Sequence, residues 1–288
     1  MPTSLDARLF EQFQKIIHEY TGVTIAQSRS SMIEGRLRKR LLALKLDNYG
    51  DYLQVVRTNS EEKSTFVDLV TTHETSFFRT PRIWDFIENK LLPEWHSKFP
   101  GRVFSAWSSA ASSGQEAASL GIVCQKFKES SQGFDYRILC SDVSQMMVDL
   151  CQKGEFTEKS TASFRKSRPD EFRKFMKSCS DGQYKLSENI RSKYSYCVHN
   201  LFQPLKMNRQ FDLILLRNVL IYFKTEDQEK LLALLTPRMA QESTLIIGES
   251  ESLAHVNSAF SFIEPLVYRV GNTKTIIEPQ EHGVSRHA

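Results

Sequence analysis

Apolar positions over residues 1–80 recur at helical spacing, with no strand-like alternation between them, so this segment reads as helices joined by short turns. Leu9, Phe13, Ile16, Ile17 and Tyr20 mark a first helix, which Gly22 ends. Ser30 or Ser31 is placed to cap a second, whose Ile33, Leu37, Leu41 and Leu44 fall within an arc of roughly 80° at ~100° per residue. Arg36, Lys39 and Arg40 occupy the adjoining arc. Asn48-Tyr49-Gly50 reads as a turn, a third helix carries Tyr52, Leu53 and Val56, and a fourth begins near Glu61 with Phe66, Leu69 and Val70.

From about residue 100 the pattern changes to short apolar runs alternating with helical stretches. The runs are VFSAW at 103–107, YRILCSD at 136–142, FDLILLRN at 211–218 and STLIIGES at 243–250. Helical segments such as 116–127 and 225–239 are long enough for crossovers, which predicts a parallel sheet with helices on both faces. SFIEPLVYRV reads as a last strand, and residues 274–288 as a loose polar tail. Residues 157–198 interrupt the alternation with 10 Lys/Arg against 5 Asp/Glu and few aliphatics, ending in the Tyr194, Tyr196, Val198 alternation of a strand. The expected organisation is a small all-α domain over 1–80 and an α/β domain over 81–273, with a small β-subdomain inserted at about 157–198.

Composition narrows the class of protein. The 288 residues are 40% apolar and 11% aromatic, and 38 Lys+Arg against 34 Asp+Glu give a net charge of +4, which excludes a disordered or fibrous chain. The longest apolar runs fall far below the ~18 residues of a membrane span. MPTSLDARLF has no apolar core of a secretory leader, so a cytoplasmic location is expected. The five cysteines, 124, 140, 151, 179 and 197, lie at least 11 positions apart and form no CxxC or Cys/His cluster, so reduced thiols and no metal site are expected.

The loop after the first strand, 108–116, consists almost entirely of small residues, and a strand, such a loop and a helix let backbone N–H groups approach a ligand. It lacks GxGxxG, which disfavours a pyrophosphate, and a tight structural turn is the plainer alternative. Asp142 closes the second strand, placed to accept bonds from ribose hydroxyls or to cap the helix beginning near residue 144. Together these fit a nucleoside ligand without a pyrophosphate, for which S-adenosylmethionine is the common candidate.

Longer motifs carry a resemblance. TTHETSFFR at 71–79, AWSSAASSGQEAAS at 106–119, CSD at 140–142, FDLILLRNVLIYF at 211–223 and GRLRKRLLALKL at 35–46 closely resemble the chemotaxis-receptor glutamate methyltransferases of the CheR family. The likeness spans about 270 residues. It implies a Rossmann-like S-adenosylmethionine-dependent methyltransferase domain with a small inserted β-subdomain, preceded by the all-α domain. Position by position, it implies that His73, Thr75 and Arg79 meet the cofactor near its methionine end and that Glu116 and Asp142 bind its polar groups. Asn200 and Leu201 would lie beside the adenine, Arg217 and Asn218 would form the inner wall, and Tyr222 would face the transferring methyl. Arg79 and Tyr222 are the implied catalytic pair. His73 stands where the family usually has Asn, and Gln115-Glu116-Ala117-Ala118 replaces the usual Glu-Glu-Pro-Tyr.

A glutamate acceptor needs no general base, because its unperturbed pKa of ~4.3 leaves it ionised near neutral pH. Positioning and a fixed cation or hydroxyl then suffice. Residues 29–45 carry six Lys/Arg and one Glu, whereas 1–80 as a whole is nearly neutral, so charge is concentrated on the second helix. A solvated helix face is the plain explanation of such a run. The resemblance implies that Arg36, Lys39 and Arg40 dock the acidic methylation helices of transmembrane chemoreceptors, and leaves open whether the insert captures a receptor C-terminal peptide. A nucleic-acid methyltransferase is disfavoured, since the fourth strand ends in Leu216-Arg217-Asn218-Val219 and the chain has no Pro-Pro dipeptide. A non-catalytic binding module is disfavoured by the retained Arg79, Asp142, Asn218 and Tyr222. No nucleic-acid partner is expected, and a monomer is. His199, next to Asn200, is given no role.

Overall fold

The computed structural model describes residues 4–180 and 182–271, so the tail expected over 274–288 lies outside the described residues. Four helices come first, α1 (Ala7–Thr21), α2 (Ser30–Leu44), α3 (Tyr49–Thr58) and α4 (Ser60–Val70). Their apolar stripes meet in one core containing Phe10, Phe13, Ile33, Leu37, Leu41, Tyr52 and Phe66. Gly22 ends α1 at φ 75°, and a Cβ there would lie 1.8 Å from the Phe202 ring, so conformation and contact both demand glycine. Asn48 does not open a turn. Its Oδ1 accepts the Asp51 N–H at 2.9 Å, making it the cap of α3 with Gly50 inside the first turn. Ser30 is likewise the first residue of α2 rather than its side-chain cap.

The second part holds α5 (Pro81–Phe86), a π-helical turn (Ile87–Leu91), α6 (Leu92–Lys98), β1 (Val103–Ser108), α7 (Gln115–Ser130), β2 (Asp135–Asp142) and α8 (Gln145–Lys153). There follow β3 (Glu155–Thr157), α9 (Glu158–Ser167), α10 (Pro169–Phe175), β4 (Met176–Ser180), β5 (Gln183–Leu186), α11 (Glu188–Arg191) and β6 (Tyr194–Val198). The chain then forms β7 (Phe211–Leu216), α12 (Thr225–Leu235), β8 (Met239–Ile247), β9 (Phe260–Glu264) and β10 (Val267–Val270). Seven strands build one sheet in the order β6-β2-β1-β7-β8-β10-β9, parallel from β6 to β8. The order reverses at β1, whose neighbours β2 and β7 leave a crevice at their C-terminal ends. β7 is buried at every position because helices cover both faces of the sheet.

Three expectations change here. SFIEPLVYRV is not one strand but the antiparallel hairpin β9–β10, turned at Pro265-Leu266, where Leu266 takes φ 73°. Tyr194–Val198 belongs to the main sheet, pairing with β2 from Ile138↔Tyr194 to Asp142↔Val198, so the insertion proper is the small sheet β3-β5-β4 with α9 and α10. Arg36 and Arg40 are not free cations. Arg36 Nη1 donates to the Leu69 and Thr71 carbonyls at 3.0 and 3.1 Å, and Arg40 clasps Glu62, which is 4% exposed. The apolar arc turns its flank toward α4, whose last carbonyls and one buried carboxylate need partners, and these arginines supply them. Lys39 remains exposed.

Backbone and side-chain bonds tie the helices to the sheet domain. Thr24 N–H donates to the Tyr222 carbonyl at 3.0 Å, His18 Nε2 lies 3.0 Å from Asp227 Oδ2, and Ser144 Oγ donates to Asp68 Oδ1 at 2.5 Å. No helix of the described residues is long and apolar enough to cross a membrane.

Candidate active site

A cleft lies between the helical segment and the C-terminal ends of β1, β2 and β7. Its walls bring together His73, Thr75, Arg79, Glu116, Asp142, Leu201, Arg217, Asn218 and Tyr222. Asn200 is absent from them.

The small-residue loop owes its composition to close packing. Ser109 N–H and Oγ both donate to the Leu215 carbonyl, which locks the loop to β7. Gly114 sits at φ 97°, and a Cβ on it would come within 2.8 Å of Cys151 Sγ, so the glycine is required by its own conformation and by α8. Ser112 N–H is spent on Asp142 Oδ2 at 2.9 Å, and Ser144 N–H on Asp142 Oδ1 at 3.0 Å. Burial pushes the Asp142 carboxyl above its ordinary pKa, while those two backbone bonds pull the other way. Asp142 is 8% exposed and lines the cleft. It does not cap α8, because Ser144 Oγ accepts the Met147 N–H in that role.

Glu116 and Arg217 form a buried pair at 3.0 Å, with side chains 12% and 1% exposed. Glu116 Oε1 also accepts the Ser108 hydroxyl at 2.7 Å. The other arm of Arg217 donates to the Arg79 carbonyl at 2.7 Å, which takes a second bond from Trp84 Nε1 at 2.9 Å. Arg217 therefore ties the TTHETSFFR segment to α7 and β7. Its Nε is buried and has no partner among the described residues. The Arg79 guanidinium and Tyr222 hydroxyl have no side-chain partner among those residues either, leaving both open to the cleft.

Three side chains depart from expectation. Asn200 Nδ2 donates to the Tyr20 carbonyl and its Oδ1 accepts the Phe202 N–H, each at 2.9 Å, so it clamps α1 to the sheet domain instead of facing the cleft. Its chain neighbours His199 and Leu201 line the cleft instead. His199 is buried, its ring centroid 5.7 Å from that of Trp107, and burial followed by the Arg238 charge lowers its pKa, favouring neutral imidazole. The His73 ring turns back onto α4, with Nε2 3.1 Å from the acceptor-only Asp68 carbonyl, and reaches the cleft loop through its own carbonyl, which accepts Ser112 Oγ.

Glu251 escapes sequence reasoning altogether. It accepts the N–H groups of Gly248, Asn218 and Ile221 at 2.5, 3.0 and 3.4 Å and holds Asn218 at φ 59°, a left-handed conformation for a non-glycine residue. No spacing in the sequence links residue 251 to 218. The cleft's helical wall, with Val23, Arg29 and Met32, was equally invisible to periodicity, because these residues lie in or beside the connection between α1 and α2.

A doubly wound sheet with its crevice between β2, β1 and β7 defines a Rossmann-like fold of the methyltransferase type. Residues 73–268 match the family described as CheR methyltransferase, SAM binding domain, and residues 8–71 match CheR methyltransferase, all-alpha domain; the chain belongs to the CheR methyltransferase family. It is 28% identical over 258 residues to chemotaxis protein methyltransferase 1 of Vibrio cholerae serotype O1, covering 88% of this chain and 92% of that one. Chemotaxis protein methyltransferase 1 of Pseudomonas aeruginosa is 25% identical, covering 90% and 97%. The Escherichia coli chemotaxis protein methyltransferase is 24% identical, covering 90% and 89%. The protein is an S-adenosylmethionine-dependent methyltransferase, and the donor set fits that cofactor: a buried carboxylate and a buried, unpartnered guanidinium N–H among the described residues stand on one cleft.

Proposed function

We infer that this methyltransferase esterifies glutamate side chains of chemoreceptors, the reaction of chemotaxis adaptation. One observation carries the reading: the fold brings the Arg79 guanidinium and the Tyr222 hydroxyl, both without a hydrogen-bond partner among the described residues, to the same cleft as Asp142 and the Glu116–Arg217 pair. Asp142 would hold the ribose through lone pairs that remain after it accepts Ser112 and Ser144. Thr75, Leu201, Arg217 and Asn218, with His73 through its main chain, would surround the rest of the cofactor, and Asn200 leaves the set. Bound S-adenosylmethionine supplies an electrophilic methyl group on its sulfonium.

The chain's own task is to hold an ionised carboxylate in line and keep water away. No residue has to remove a proton, since the acceptor is already charged at neutral pH. Arg79 presents a planar fork that fits a carboxylate, and the Tyr222 hydroxyl donates to it, so the acceptor keeps its charge as its solvation is lost. Arg79→Lys is expected to slow single-turnover methylation of a receptor fragment about a hundredfold, because a point charge aligns the carboxylate poorly. Calorimetric cofactor affinity should stay within a few fold. Wild-type turnover in that variant removes Arg79 from the reacting centre.

Receptor docking falls to the exposed side of α2. With the half-buried Arg36 and Arg40 bonded to α4 and Arg38 paired with Glu34, Lys39 is the member of the predicted trio left for an acidic partner helix. Lys39→Glu is expected to raise the receptor KM and flatten its salt dependence without changing cofactor affinity. An unchanged KM at low salt would return this helix face to simple solvation.

A further inference from the structure

The inserted segment makes a chain of ring contacts that ends on the main chain carrying Arg79. Tyr184 of β5 meets Phe172 of α10 at 4.9 Å between centroids, and Phe172 meets Phe164 of α9 at 5.4 Å. Phe164, fully buried, then touches both Phe77 at 5.0 Å and Phe78 at 4.9 Å. Arg168, just beyond α9, lies with its guanidinium carbon 4.3 Å from the Phe78 ring centroid and is held there by an ion pair with Glu88.

Backbone at the receiving end stores strain. Phe78 at φ 50° and Thr80 at φ 65° flank Arg79, and both adopt the left-handed conformation without being glycine. Such conformations persist only where their surroundings over-determine them. Phe78 N–H donates to Ser119 Oγ at 2.9 Å, and the Arg79 carbonyl takes the bonds from Trp84 and Arg217. Those bonds fix main-chain atoms. The Phe78 ring itself is covered by Phe164, Arg168 and Trp84, and two of these three belong to the inserted segment or its α9–α10 corner.

We propose that Phe164 and Arg168 are positioning residues for methyl transfer: through Phe77 and Phe78 they hold the strained turn in the conformation that aims Arg79 into the cleft. The small subdomain is thereby part of the catalytic scaffold as well as a surface feature. This rests on the role given to Arg79 above.

A double-mutant cycle separates the two ideas. Phe164→Leu keeps an apolar group in the core but loses the ring contacts, and Arg168→Met keeps the apolar stem over Phe78 but loses the cation. Each is expected to lower kcat for a purified receptor fragment about tenfold, with receptor KM and calorimetric cofactor Kd within twofold of wild type. In an Arg79→Lys background neither should lower kcat further, because residues acting through one group are non-additive. Independent, multiplicative losses in that background, or wild-type kcat in both single variants, overturn the proposal while leaving Arg79 in place. Wild-type kcat in Arg79→Lys alone overturns the Arg79 assignment and this proposal with it. Should Phe164→Leu fail to fold, the Arg168→Met cycle decides by the same criteria.

Discussion

Arg217→Met is expected to cost about 3–5 kcal/mol of folding stability, the range found when one partner of a buried ion pair is removed. The reason is geometric. Glu116 would keep its carboxylate in a nearly dry site with the Ser108 hydroxyl as its remaining side-chain donor, and the Arg79 carbonyl would lose its 2.7 Å bond. Denaturant unfolding of the full chain measures this directly. The companion variant Arg217→Met/Glu116→Leu removes both charges and should recover most of the loss, since replacing a buried pair by apolar groups is often nearly neutral. Equal instability in the single and double variants would show that the pair is not what anchors this wall of the cleft.

Arg40→Glu is expected to destabilise the helical domain by about 1–3 kcal/mol, although residue 40 lies on the polar arc of its helix, because it strips the buried Glu62 of its partner. Arg40 Nε and Nη2 both reach Glu62, whose Oε1 also accepts the Tyr52 hydroxyl at 2.9 Å. Reversal would set a second carboxylate against a buried one. The Glu62 hydrogen bond, the largest influence on Arg40, raises the arginine's pKa, as a committed pair requires. Arg36→Glu should also destabilise, through the two carbonyls it abandons at the end of α4. Lys39→Glu, one residue from Arg40 and exposed, should stay within about 0.5 kcal/mol of wild type. If Arg40→Glu melts with the wild type, the cation belongs to the surface after all, and its reversal becomes a clean docking test.

Much of the architecture was legible because its signals are local. Periods of 3.6 and 2, the capping and terminating residues, and buried four- to eight-residue apolar runs are properties of contiguous chain, and they place the four helices and the core strands within a few residues. The hairpin β9–β10 looks like one strand in the sequence because Phe262, Ile263, Val267 and Tyr268 are strand formers on both sides of Pro265, and nothing local marks the reversal except that proline. The role of residues 194–198 was hidden because alternation says that a strand exists and nothing about which sheet it joins.

The cleft divides the same way. Residue types such as Asp142 at a strand end, a small-residue turn before a helix, and the motif positions of Arg79, Arg217 and Tyr222 follow from the sequence by itself, since backbone chemistry and motif spacing are written along the chain. Which of them share a surface was decided by tertiary structure alone. Asn200 turns away to hold Tyr20, His199 and Arg29 turn in, Glu251 fixes Asn218, and two of three apparent surface cations become internal bonds. Each of these outcomes depends on a partner 20 to 180 positions distant or on a side of the backbone that only packing selects. A buried carbonyl or carboxylate takes whatever donor the fold brings within reach, and no local pattern encodes that choice.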